Sequence, residues 1–412
     1  ILLASGDETG HIFIWDIKKA KRTIVFEDES NVSSLSPSSS SSSSSSGGGG
    51  GGSSSGGHGH HHHHVPMHKR AIVSLRWLFN DDSVFLLSLN SGSVLSLWNL
   101  NTRSRVWRYE FTEPVCSLSL DPFSNSCASF TSETGWIILI HDLNTRKAPE
   151  RVEQRLKVEA TRDKHGNMTS SLRDFVYCPH GRGQMYLLSR RDITMYDMDI
   201  RQPITGRVIR SGKSDFRRLY TCEEDANLMY TLQEDGTVAA WDYNMDKGQY
   251  EAIMCDVVRG SKHGADRPGL LYGMAMSPVN HKKICAVSAD GKMWVWDYVQ
   301  ETDAVTGKKK VRWILSGLLE TTSSTISSMQ ISPFNSQIAV GTSNGTLLIY
   351  DLLNGAMITK HDMFNLPVEG VRWISESDVL CFASKRISAK AVVNELVAVD
   401  LLSGKHRHLR SD

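Results

Sequence analysis

What this sequence lacks narrows it first. Its seven cysteines stand singly at 116, 127, 178, 222, 255, 285 and 381. An odd, scattered set excludes a disulfide framework and a zinc ligand set, and is the pattern of an intracellular, reducing compartment. No apolar run approaches the roughly 18 residues of a membrane helix, and no signal-peptide pattern opens the chain. Net charge is +1, from 46 Lys+Arg against 45 Asp+Glu, so there is no basic field for nucleic acid and no acidic tail. Paired carboxylates and an HExxH pair are missing too. The expectation is therefore no enzyme, no cofactor and no metal.

What is present is a repeated hairpin. Residues 284–298 read ICAVSADGKMWVWDY. Ile284 to Ser288 is a short apolar strand, and Ala289 to Lys292 is a turn whose Asp and Gly tolerate positive φ. Met293 and Val295 then point to one side, Trp294 and Trp296 to the other. A strand apolar on both faces is covered on both faces. The same unit ends at Asp16, Asn99, Asp142, Asp197, Asp242, Asp297, Asp351 and Asp400. After a first gap of 83 residues, the spacing runs from 43 to 55. Between the units lie alternating strands, several stopped by proline: Ser119-Leu120-Asp121-Pro122, Tyr177-Cys178-Pro179, Met276-Ser277-Pro278 and Ile331-Ser332-Pro333. A period of about 40–45 with four short strands and a Trp-Asp ending reads as a WD-repeat β-propeller. The expected fold is all-β, with about seven to nine four-stranded blades.

Residues 31–70 break the pattern with Ser38 to Ser46, Gly47 to Gly52 and His60 to His64. Such composition buries no core and reads as a disordered insertion, with metal binding by the histidines a minor alternative. Residues 1–30 then form a truncated blade, and 71–412 continue the same propeller. A chain that opens on isoleucine directly in a strand has the look of a fragment. Asn144 to Ser171, Cys255 to Gly269 and Val299 to Lys310 are further, shorter insertions.

Three motifs imitate chemistry. Gly341-Thr342-Ser343-Asn344-Gly345 matches the G-x-S-x-G elbow, but here it is a hairpin turn in phase with its siblings. Gly206 and Gly212-Lys213-Ser214 have five intervening residues where a phosphate loop needs four. Phe216-Arg217-Arg218-Leu219 resembles the Phe-Arg-Arg-Gly motif of phosphoinositide-binding propellers, with leucine replacing the glycine. Arginine forks suit phosphate, so Arg217 and Arg218 stand as a lipid-phosphate alternative to outward-facing strand residues.

The sequence between the hairpins carries a more specific likeness. Trp77-Leu78-Phe79-Asn80, Val106-Trp107-Arg108, Ala339 to Gly345, Val368-Glu369-Gly370-Val371-Arg372-Trp373 and Asn394-Glu395-Leu396 follow one another in order. In this colinear set the chain resembles the WD repeat-containing protein 11 family, over that family's first propeller. The Gly-His dipeptide of ordinary WD repeats is missing from nearly every unit. The resemblance implies a non-enzymatic scaffold in a vesicle-tethering complex for endosome-to-trans-Golgi transport, with a link to ciliary and Hedgehog signalling. It implies protein partners: tethering-complex subunits and golgin or adaptor-type proteins. It also implies a cytoplasmic location, peripheral at the trans-Golgi network and vesicles through those partners.

Overall fold

The computed structural model describes residues 1–28, 70–131, 135–150, 154–157, 165–166, 172–222, 225–254, 271–276, 283–288, 292–319 and 324–409, apart from Asp81, Lys213, Lys308 and Lys390. The Ser/Gly/His insertion, the turn Ala289 to Gly291, the 255–269 insertion and Ser277-Pro278 lie outside the described residues. Every regular element among those described is a strand, in eight antiparallel sheets taken in chain order. Seven sheets have four strands. The first has three, Leu2–Gly6, His11–Asp16 and Lys21–Glu27.

The sheets are blades of one ring. Each apolar face predicted from the alternation meets the next sheet, giving eight separate cores between neighbours. Trp296 and Trp294, with Trp313 of the same blade, pack toward blade 5 and Tyr230, while Met293 and Val295 pack toward blade 7 with Ile338 and Val340. The two-sided hairpin is thus covered on both sides, as its pattern required. The last core joins blade 8 to blade 1, with Leu380, Ala398 and Leu409 against Trp15 and Ile17. The ring therefore closes through side-chain packing between its first and last sheets.

Among the described residues, blade 1 has no counterpart of the innermost strand. Its Leu2–Gly6 corresponds to the second strand of the other blades, which is almost wholly buried in blades 2, 3, 4, 5 and 7. In blade 1 the same strand is half-exposed. The amides of Leu2, Ala4 and Gly6 face the inner edge, away from His11–Asp16, since Ile1 and Asp7 bond toward His11–Asp16 and its flanks.

Two side-chain devices recur. In blades 1, 2 and 5 the repeat tryptophan donates Nε1–H to a hydroxyl ten residues back: Trp15 to Ser5, Trp98 to Ser88, Trp241 to Thr231, at 2.8–2.9 Å. The repeat aspartate or asparagine caps the turn after the third strand. Asn99 Oδ1 accepts N–H from Asn101 and Thr102, and Asp197 and Asp400 do the same in their blades, while Asp16 accepts from Lys19 and Asp351 from Leu353. Where the third strand runs on, the cap moves with it, to Asn244 in blade 5 and Asp303 in blade 6. The period read from the sequence is thus largely the period of an Asx turn.

Candidate functional site

Antiparallel order fixes which turns share a face. First-to-second and third-to-fourth turns lie on one face of the ring. Second-to-third turns and the connections between blades lie on the other.

Arg217 and Arg218 sit near the start of the innermost strand of blade 5, Phe216–Thr221, toward the second face. The register shifts between Phe216 and Arg218, so Arg217 is the extra residue of a β-bulge. The same bulge recurs in blades 2, 4, 6 and 7, at Val73, Arg173, Tyr272 and Ser327. The bulge takes the two arginines out of strict alternation. Arg217 is half-buried and Arg218 is exposed. Burial pushes the Asp174 carboxyl of blade 4 upward, and the neighbouring Phe175 N–H and Arg218 guanidinium oppose that.

Around them the structure gathers arginines that sequence reasoning passed over. Asp215 holds Arg190 through Nε and Nη2 at 2.8 and 2.7 Å, and Arg191 through Nε at 2.8 Å. Arg173 crosses from blade 4 to donate to Phe216 O at 2.8 Å and to Glu234 at 3.0 Å. These residues come from three different loops and one strand, so no linear motif signalled them. Their role as placed is to tie blade 4 to blade 5.

Ser343 lies in the second-to-third turn of blade 7, where its N–H donates to Thr325 O. Thr342 Oγ1 receives the Thr346 N–H in the same turn. This is hairpin chemistry, as its phase in the repeat required. Asp235 likewise accepts N–H and O–H from Thr237. Among the described residues, no group of three or more His, Cys, Asp or Glu is placed to hold a metal ion.

The first face carries a feature the sequence did not announce. Phe79, Phe123 and Phe334 stand at first-to-second turns; Ile200, Met245, Val305, Leu353 and Leu402 stand in third-to-fourth turns, all exposed. Val305 is 95 % and Leu402 87 % accessible. In blades 1, 2, 4 and 7 the residue just after the capping residue is buried: Ile17, Leu100, Met198 and Leu352. In blades 4 and 7 an exposed apolar residue, Ile200 or Leu353, follows within two positions. Leu352-Leu353 and Leu401-Leu402 carried that signal, one leucine inward and one outward, but periodicity alone does not tell which is which. Among the described residues only Val25, Val73 and Val393 represent large exposed apolar side chains toward the opposite face.

Eight blades, the capping acids and the tryptophan–hydroxyl pairs define a WD-type β-propeller whose surface is built from turns. The sequence comparisons are consistent with this geometry. The nucleolar protein 10-like N-terminal domain family, a β-propeller family, matches residues 166–399, and the chain belongs to it. It is also a distant relative of WD repeat-containing protein 11. The mouse protein (Mus musculus) is 22% identical over 84% of this chain and the zebrafish protein (Danio rerio) 23% over 82%. The human protein (Homo sapiens) is 22% identical over 84%. The chain spans a little over a third of those relatives, 36–37% of their length. Among solved structures, the β-propeller domain of Cps50 (Swd1) from Myceliophteria thermophila superposes with a TM-score of 0.52 at 15% identity. That match covers 88% of this chain and 94% of the other, and it speaks to the fold.

Proposed function

We propose that the protein is a non-enzymatic interaction scaffold, and that the face of first-to-second and third-to-fourth turns is its principal docking surface. The observation that carries this is the one-sided display of apolar turn tips. Exposed apolar groups on one surface mark association sites, because covering them releases ordered water. A propeller offers such turns on a rigid disc and can hold several partners at once.

The likeness to WD repeat-containing protein 11 supports a narrower reading: a subunit of a vesicle-tethering complex acting between endosomes and the trans-Golgi network, peripheral to the membrane through its partners. The full-length protein, purified from cells, should bring down tethering-complex subunits and adaptor-type coats. Replacing Leu353 and Leu402 by Asp should reduce that recovery and leave the fold intact. A tagged protein concentrated in the nucleolus, where the matched family's name points for its namesake, would sink the trafficking reading.

A second reading, a phosphoinositide site at Arg217 and Arg218, draws on the arginines gathered beside them from blade 4. Liposome flotation with phosphoinositide vesicles separates the two. If the Arg217→Ala, Arg218→Ala protein floats as well as the parent, the lipid reading is dead.

A further inference from the structure

Blade 8 departs from its siblings on the second face. The second strand of every other blade is four to eight residues long; here it is eleven, Asp378–Ser388, and it pairs with the ten-residue Ala391–Asp400. The innermost strand Gly370–Trp373 covers only Val379 to Phe382. The outermost strand covers only Leu396 to Val399. Residues 383–388 and 391–395 therefore stand beyond the blade as a two-stranded ribbon.

The ribbon has an open edge with a defined hydrogen-bond phase. Glu369 N–H donates to Phe382 O at 2.9 Å, so the Phe382 backbone faces the innermost strand. Two residues on, the N–H and C=O of Ser384 face the same way. The register with the innermost strand ends at Gly370, the chain before it bonds blade 7 through Val368 N–H to Thr342 O, and Ser384 Oγ donates to Glu369 Oε2 at 2.7 Å. A cavity of about 320 Å³ lies between the ribbon and residues 362–366. Met363, Phe364 and Leu366 give it an apolar floor, and Asp362, Lys385 and Glu395 its charged walls. Lys385 and Glu395 share one face of the ribbon, by the register Ala383↔Glu395 and Lys385↔Val393.

The floor is held in place. Met363 and Phe364 both donate N–H to Gly345 O at 3.0 Å. Gly345 has φ +89, and a Cβ there would come 1.8 Å from Phe364 O. Backbone contacts to Gly345 thus fix the floor.

We propose that this ribbon edge and cavity form a peptide-binding site, in which an extended segment of a partner protein adds as a third strand along Ser384. The strand's backbone would satisfy the open edge, the mode by which exposed sheet edges recruit peptides. One of its side chains, apolar, enters over Met363, Phe364 and Leu366. The wall carries two carboxylates against one ammonium, so the next residue on the same side of the strand is Lys or Arg.

The test uses the 412-residue chain and the blocked peptide acetyl-Thr-Leu-Thr-Lys-Thr-Val-amide, which places Leu and Lys on one side of an extended strand. Saturating peptide should slow exchange of the Ser384 amide and shift the resonances of 362–366. Ser384→Pro removes the edge donor and should weaken binding at least about tenfold. Should that variant misfold, Glu395→Lys serves in its place: it should weaken the Lys peptide and restore binding to a peptide with Glu at that position. No slowing at millimolar peptide, equal binding when the peptide's Leu becomes Gly, or no rescue by the charge swap would each overturn the proposal. So would a Ser384 amide already protected in a sedimenting dimer, which would assign the edge to a second copy of this chain.

Discussion

The repeat aspartate of blade 6 offers a sharp test of how this ring is held. In blade 7 the equivalent Asp351 caps a turn, accepting the Leu353 N–H at 2.7 Å. In blade 6 the turn has moved five residues and more down an extended hairpin, and Asp297 faces its cross-strand partner Lys283 instead. The ammonium lies 2.5 Å from Asp297 Oδ1, with the lysine side chain 11% and the aspartate side chain 33% exposed. Removing the carboxylate strands a buried cation, a loss of about 3 kcal/mol, the lower end for broken buried pairs because a lysine stem can reach outward. Removing the lysine leaves a carboxylate already one-third in water, and Lys283→Met should cost about 1 kcal/mol or less. Asp351→Ala, which removes only a turn cap, should also cost about 1 kcal/mol. At about 2 cal/mol/K per residue, a chain of this length loses roughly 1 °C per kcal/mol, so Asp297→Ala should lower Tm by about 3–4 °C. The double variant Lys283→Met, Asp297→Ala should cost about 1 kcal/mol, recovering most of the loss and giving a coupling of about 3 kcal/mol in a double-mutant cycle. Calorimetry and denaturant titration of the four proteins decide the matter. Additive costs, or an Asp297→Ala no worse than Asp351→Ala, would refute the reasoning.

Further outcomes follow from the same geometry. Trp98→Phe leaves the fully buried Ser88 hydroxyl without the indole N–H; denaturant titration should show a loss of about 1–3 kcal/mol, larger than for Trp15→Phe in the three-stranded blade. Gly345→Ala forces a side chain into the left-handed region against the 364–366 backbone. A cost of about 2 kcal/mol or more should appear as lost amide protection at Met363 and Phe364, and retention of that protection would count against it. In blade 1, hydrogen exchange at Leu2, Ala4 and Gly6 should be fast and at Leu3 and Ser5 slow; equal protection would mean that the inner edge is covered. Burial and the neighbouring His406 hold the His361 imidazole below its usual 6.5, against the opposing Asp362. The folded state then resists protonation, so stability present above pH 6.5 falls as acid is added and levels off below the folded pKa. Tm measured from about pH 7.5 to about pH 5.5 should drop less in His361→Gln than in the parent.

Much of this protein was determined by its sequence. Local alternation, turn residues and the recurring terminal acid depend only on neighbours a few residues away, so Met293 to Asp297 announced a strand covered on both sides. The same locality exposed Ser343 as a turn residue and left Arg217 and Arg218 on a strand. Tertiary structure alone decided the rest. Ring closure depends on two sheets at opposite ends of the chain, and Trp15 meeting Leu409 is invisible to any window. Asp215 collects Arg190 and Arg191 because blades 4 and 5 are neighbours, not because a motif links them. The outward leucines at 353 and 402 look like core until packing shows that Leu352 and its siblings already fill it. The repeat told which residues build the disc; only the assembled ring shows which of them remain exposed for partners, because exposure is a property of what surrounds a residue.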